Sequence, residues 1–296
     1  MENKEKSDNS NLETIAIINC VVNVPLMLIA IIANALVLFA ILRTSSLRSV
    51  PSTVFICSLA STDLLVGLAL QPIYIASEFQ NSSGSLLLKT RELMANLLCG
   101  VSLSTMTAII VDRCLALRCH VLYPNLMTTK RALYSSASLW FVSMFLSCLN
   151  IWRKHVGVFI VTGLYIVICF VISFPAYIKI YVIVRHHEIQ IHTQHQAVNS
   201  FCPSPDTPNN HNMAISKKSA INTFIYFICM IFCYSPYLIY LLLRITSVIS
   251  FERNWLTFVI ATVVFLNSSV NPFLYCWRNR EIRTSVVKIV RKMNSV

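Results

Sequence analysis

Seven stretches of this chain are long and apolar enough to cross a bilayer, and that number decides most of what the chain can fold into. They cover residues 14–42, 52–78, 86–117, 132–150, 156–184, 220–243 and 254–277. A spanning helix needs about 20 largely apolar residues, because the hydrocarbon is about 30 Å thick and a helix rises about 1.5 Å per residue. The runs are continuous rather than alternating, which excludes a transmembrane barrel. Charged residues make up only 12% of the chain and hydrophobic residues 56%. A soluble domain carries roughly 25% charged residues, and a disordered basic tail is poor in apolar ones, so both are excluded. The first run is too long for a signal-peptide core and follows an acidic segment, so it reads as a retained helix.

The formal charge of +12 raises the question of an acidic partner. A nucleic-acid binder needs its bases gathered on one face, and here they are dispersed between the apolar runs. With the N-terminus outside, the inner segments hold Arg43, Arg48, Arg113, Arg118, Lys130, Arg131, Lys179, Arg185, Lys217, Lys218 and six more bases from Arg278 to Lys292, 16 of the 24. The outer segments hold the other 8, offset by 7 acids. Because Lys and Arg accumulate on the cytoplasmic side, the expected arrangement is N-terminus outside and C-terminus inside, in the plasma membrane.

Three regions follow. Residues 1–13 form an outer tail, 14–277 the seven-helix domain, and 278–296 an inner C-terminal segment. Within the domain, residues 186–216 are polar and hold Cys202-Pro-Ser-Pro-Asp-Thr-Pro, the pattern of a flexible third inner loop. Its five histidines match no standard zinc spacing. After Trp277, the apolar residues Ile282, Val286, Ile289, Val290 and Met293 recur at helical spacing between Arg280, Arg283, Lys288, Arg291 and Lys292. That pattern describes an amphipathic helix lying on the anionic inner leaflet. The expected fold is thus an all-α membrane protein: a seven-helix bundle with a short amphipathic eighth helix.

Polar residues inside the apolar runs point to function, since a carboxylate at the midplane costs about 2.5–3.5 kcal/mol on insertion scales. Asp63 stands in the middle of the second run, with Asn34, Ser102, Asn267 and Asn271 at matching depth. A carboxylate ringed by hydroxyl and amide oxygens suits a small hard cation or a proton, and it equally suits a polar network that only holds helices together. Asp112-Arg113 ends the third run, where an acid and a base side by side also occur as plain interfacial charges. Pro236 and Pro272 fall inside the sixth and seventh runs and mark kinks or hinges.

Taken in order, these features resemble a rhodopsin-like (class A) G-protein-coupled receptor over nearly the whole chain. Asn34 resembles that family's first-helix asparagine, with Ala33 where a glycine is usual. Leu59-Ala60-Ser61-Thr62-Asp63 resembles its LAxxD motif, and Asp112-Arg113-Cys114 its DRY motif with Cys for Tyr. Trp140 fits the fourth-helix tryptophan. Cys233-Tyr234-Ser235-Pro236 resembles CWxP with Tyr for Trp, and Asn267-Ser268-Ser269-Val270-Asn271-Pro272-Phe273-Leu274-Tyr275 resembles NSxxNPxxY. Within the family the chain is similar to the adenosine and melanocortin branch. Cys169 stands where the fifth helix usually has proline, the fourth-to-fifth loop is nearly absent, and Leu88 stands where most members have the disulfide cysteine. Melanocortin receptors share these traits, whereas adenosine receptors keep a long outer loop.

The resemblance implies a sodium pocket at Asp63, Ser102, Asn267 and Asn271. It implies switch and G-protein-coupling roles for Asp112, Arg113, Tyr123, Tyr177, Tyr234, Pro236, Pro272 and Tyr275. It further implies an extracellular ligand, a heterotrimeric G protein, arrestin and membrane lipids as partners, with no cofactor beyond the sodium ion. Ser216 replaces the acid that often restrains the helix 3 arginine, and Met230 replaces a phenylalanine six residues before Pro236. The ligand is less legible. Ala95 stands where amine receptors carry an acid, Leu241 where adenosine receptors carry an asparagine, and Glu92 matches one melanocortin acid while Ile73 and Leu88 replace the others. Asn81-Ser82-Ser83 is an outer-loop glycosylation sequon. The competing readings are an ion- or proton-coupled transporter using Asp63 and a non-signalling scaffold. No nucleophile–base set is present, so an enzyme is not expected.

Overall fold

The computed structural model describes residues 2–78, 86–119, 121–152, 155–199, 209–246 and 255–293. Eleven α-helices and one π-helical segment account for nearly all of them: α1 (Glu2–Arg43), α2 (Ser45–Arg48), α3 (Pro51–Leu65), the π segment Val66–Leu70, α4 (Gln71–Glu78), α5 (Leu86–Arg118), α6 (Tyr123–Leu126), α7 (Thr129–Trp152), α8 (His155–Asn199), α9 (Asn209–Ile245), α10 (Trp255–Arg278) and α11 (Arg280–Met293). Seven membrane spans are found among the described residues: Ala16–Arg43, Pro51–Glu78, Leu86–Arg118, Thr129–Leu149, Phe159–His186, Thr223–Ile245 and Leu256–Trp277. Each coincides with one of the seven apolar runs.

The helices end where local chemistry requires it. Pro51 opens α3 from an extended Val50, because proline fits the first helical position and pushes its predecessor out of the helical region. Asn279 separates α10 from α11: its Oδ1 accepts the backbone N–H groups of Glu281 at 3.0 Å and Ile282 at 3.4 Å, an N-cap that starts the amphipathic helix on a new axis. Ile282 is fully buried beneath α11 and Thr44 donates to Ser285 at 3.2 Å, so the helix is docked on the foot of α1.

Three features differ from the expectation. Helix α1 begins at Glu2, within the segment read as an outer tail. The sequence from 2 to 24 holds neither proline nor glycine, so nothing stops the helix from extending back toward Glu2. Helices α8 and α9 likewise run on to Asn199 and back from Asn209, into the segment read as a flexible loop. Polarity there removes the apolar stripe, not the capacity for helix. The first proline after the fifth span is Pro203, and residues 200–208, which hold it, lie outside the described residues. Third, the second span changes pitch at Val66–Leu70 just before Pro72. A proline ring collides with the carbonyl four residues earlier, and one wide turn relieves that collision.

Most buried apolar side chains form one large core, which includes Leu59, Met106, Ile110, Ile180, Tyr226, Met230, Tyr234 and Tyr275. A second, smaller cluster, Val66, Leu70, Tyr74, Leu98, Phe258 and Phe265, fills the bundle between the second, third and seventh spans on the side of Asp63 nearer the start of α10.

Candidate functional site

The site has two parts, one at mid-bundle and one at the C-terminal end of α5. At mid-bundle, α3 delivers Asp63, α5 delivers Ser102, and α10 delivers Asn267 and Asn271, four residues apart and thus on one face. Asp63 and Asn271 are 0% exposed and Ser102 and Asn267 2%. Asn271 Nδ2 donates to Asp63 Oδ2 at 2.8 Å, and Asn267 Nδ2 donates to Ser102 Oγ at 3.3 Å. Asn34 Nδ2 reaches the Ser268 carbonyl at 3.1 Å, tying α1 to the same stretch of α10.

The atoms left over share one character. Asp63 Oδ1, Asn34 Oδ1, Asn267 Oδ1 and Asn271 Oδ1 are buried without a hydrogen-bond partner among the described residues. All four are acceptors, and one carries carboxylate charge. An unmet acceptor in a dry interior costs about 1–3 kcal/mol, and a set of unmet oxygen acceptors is the electrostatic opposite of an anion site. Oxygen donors of this type fit a hard monovalent cation. No cluster of three His, Cys, Asp or Glu side chains occurs among the described residues, so transition-metal chemistry has no ligand set there.

Tyr234 joins this centre from α9. It is 2% exposed, lies beside Ser102, and its hydroxyl donates to the Cys99 carbonyl at 3.4 Å. Pro236 and Pro272 lie inside continuous helices, α9 and α10. One turn below Tyr234, Met230 Sδ accepts weak hydrogen bonds from Thr107 at 3.9 Å and Ser173 at 3.8 Å, which binds the third, fifth and sixth spans at one point. Trp140 Nε1 donates to Ser58 Oγ at 2.9 Å, fastening α7 to α3.

At the C-terminal end of α5, Asp112 is 1% exposed. Arg113 pairs with its Oδ2 at 3.0 Å and Tyr123 donates to its Oδ1 at 2.7 Å. Tyr123 belongs to the single-turn helix α6, whose last carbonyls, Asn125 and Leu126, accept from Arg131 at 2.8 and 2.9 Å. Asp112 is thus clamped between its neighbouring arginine and the inner loop. Tyr177 and Tyr275 both stack on α9, but on different residues. Tyr275 is fully buried and stacks on Tyr226 with ring centroids 6.4 Å apart, and Tyr177 stacks on Phe227 at 5.1 Å.

At the opposite end of α5, Arg91 pairs with Glu78 at 3.1 Å, donates to Ser77 at 3.0 Å and covers the Tyr74 ring. Glu92 is exposed on the same helix. Asn81 lies outside the described residues. All the described cysteines are free. Sequence reasoning passed over Tyr226, Asn19, Asn23 and Gln71, all of them buried. Asn19 and Asn23 carried a usable signal, the same four-residue spacing as Asn267 and Asn271.

Comparison with known proteins adds independent support. The sequence model described as "7 transmembrane receptor (rhodopsin family)" matches residues 33–153. The chain is 28% identical to 5-hydroxytryptamine receptor 4 of Rattus norvegicus, over 89% of this chain and 73% of that one. It is 25% identical to melanocortin receptor 3 of Homo sapiens, over 91% of this chain and 84% of the relative.

Proposed function

The chain belongs to the rhodopsin family of seven-transmembrane receptors and is a G-protein-coupled receptor, and on that premise we propose how its two polar centres divide the work. The Asp112–Arg113–Tyr123 cluster carries the reading. A buried acid that holds its neighbouring arginine while an inner-loop tyrosine holds the acid is a two-state element. An extracellular ligand, peptide or small molecule, binds one state better. The inner half of α9 then moves outward about Pro236, Arg113 leaves Asp112, and a G protein enters between the helices. Tyr177 and Tyr275, both stacked on α9 at rest, lose those ring partners in the same movement. The competing transporter reading gives the Arg113 cluster no task.

The mid-bundle centre sets the resting state. Asp63, Ser102, Asn267 and Asn271 would hold a sodium ion, whose charge would satisfy the unpartnered oxygens. When bound, the ion neutralises the carboxylate and braces α3, α5 and α10 together. The N-terminus lies outside and the C-terminus inside, with α11 resting on anionic lipid. Arrestin shares the inner face with the G protein. The relative named for 5-hydroxytryptamine does not define the ligand here, because Ala95 stands where an amine would need an acid.

The test is nucleotide exchange by a panel of heterotrimeric G proteins on membranes holding the receptor, with Arg113→Ala as control. Basal or ligand-driven exchange that the control abolishes is expected. No exchange with any G protein, despite intact surface delivery, would favour the scaffold reading.

A further inference from the structure

A second set of buried polar side chains lies outward of Asp63, where the first, second and seventh spans meet. Asn19 Nδ2 donates to the Tyr74 hydroxyl at 3.0 Å. Asn23 Nδ2 lies at 2.5 Å from Asn19 Oδ1 and donates to Thr262 Oγ1 at 2.9 Å, and Thr262 in turn reaches Asn19 Oδ1 at 3.2 Å. Asn23 Oδ1 and both amide atoms of Gln71 have no partner among the described residues, although both side chains are 0% exposed. The register places Gln71 at the level of Asn23. Farther in, Gly67 packs against the Met27 carbonyl and Ile31 of α1, and farther out Tyr74 meets Asn19. The two helices run antiparallel, and Gln71 falls between those contacts.

The unmatched Gln71 amide and the unmatched Asn23 oxygen are expensive at this depth. An unpaired amide transferred from water to an apolar medium costs roughly 2–7 kcal/mol, and lipid offers no partner. Water resolves both, since an amide with a free donor and a free acceptor is the surrounding an ordered water needs. The polar way in passes Tyr74. Tyr74 connects outward to Arg91, which is 28% exposed and bonds to Ser77 and Glu78. The alternative way in, between the second, third and seventh spans, is filled by Val66, Leu70, Leu98, Phe258 and Phe265. The π segment ends at Gln71, and its wider turn alters the phase at which Gln71 meets the bundle.

We propose that Asn23, Gln71 and Thr262 line a hydrated site, open to the outer face between α1, α4 and α10, that takes water and small monovalent cations one level above Asp63. Its acceptors, Asn23 Oδ1 and Gln71 Oε1, carry no formal charge, so the site passes a cation onward rather than retaining it. The onward step rests on the reading of Asp63 as a cation pocket; the hydrated site itself does not. Ile31 packed on Gly67 closes the inner side at rest.

Cysteine accessibility tests this in the full-length receptor. Gln71→Cys, Asn23→Cys and, as a backup against misfolding, Thr262→Cys are treated from outside with 2-aminoethyl methanethiosulfonate. The reagent's sulfenyl sulfur bonds to the cysteine Sγ and methanesulfinate leaves. Modification is read by peptide mass, with the unsubstituted receptor giving the background of its own cysteines and Ile31→Cys as the packed control. Reaction at the seam positions at least about tenfold faster than at the control is expected, because dry hydrocarbon excludes the ammonium reagent. Equally slow reaction at all positions, in receptors that reach the surface, overturns the proposal. Sodium-dependent thermal stability is measured alongside. Fast labelling in a receptor that sodium does not stabilise leaves the hydrated site standing and removes the Asp63 reading. Slow labelling in a sodium-stabilised receptor does the reverse.

Discussion

Asn271 donates its side-chain amide to Asp63 at 2.8 Å, closing the gap between the seventh and second spans at mid-bundle. The bond uses one carboxylate oxygen and leaves the other, with three amide oxygens, unmatched. A network built only to hold helices together would pair its acceptors with donors. The surplus of acceptors is the observation that favours the proposed cation site over structural adhesive.

Tyr123→Phe removes the 2.7 Å bond to Asp112 while keeping the ring. Hydrogen bonds to charged groups contribute about 1.5–3 kcal/mol, and a two-state receptor converts part of that into population. Basal nucleotide exchange is expected to rise severalfold over wild type. Exchange indistinguishable from wild type at equal surface expression would detach Tyr123 from the switch.

Gly67→Ala should destabilise the receptor. A Cβ at this position meets Ile31 Cγ1 at 2.8 Å and the backbone of Ile31 and Met27 at 3.3 Å. Overpacking of this kind costs about 1–3 kcal/mol. Adding Ile31→Ala removes the closest clash but not the backbone ones, so melting temperature recovers only in part. A full loss in the double variant equal to the single one would place the strain elsewhere.

The outer end is held without a described disulfide. Arg91→Ala takes the cation from Glu78, whose side chain is 4% exposed. The loss stays below the about 3–5 kcal/mol of a fully buried pair, because Arg91 is 28% exposed. A lowered melting temperature is expected for the variant. Dithiothreitol should leave the wild-type value unchanged, since all the described cysteines are free. A large drop on reduction would reveal a covalent staple.

The seven spans, their order and the residues of both polar centres were legible in the sequence because hydrocarbon punishes polarity so strongly that every exception shows. Asp63, Asn271 and Asp112 announced themselves in this way. The helix ends were less legible. The same reading took loss of apolar pattern at 186–199 as loss of helix, when polarity alone does not break one; proline does. Pairings across the bundle were least legible. Nothing in Arg91 names Glu78 as its partner, and nothing in Tyr226 names Tyr275, because such contacts depend on helix rotation, which the π segment at Val66–Leu70 itself alters. Gln71 looked like an ordinary polar residue near a span end and became informative only once its burial was known.

The most direct test is the thermal stability of purified receptor against sodium chloride, with choline chloride holding ionic strength, in wild type and Asp63→Asn. The substitution keeps shape and removes charge. A bound ion stabilises by RT ln(1 + [L]/Kd), about 1.4 kcal/mol at tenfold Kd, so the wild-type melting temperature should climb with sodium while that of Asp63→Asn stays flat. An equal climb in both, or no climb in wild type, would contradict a cation held at Asp63.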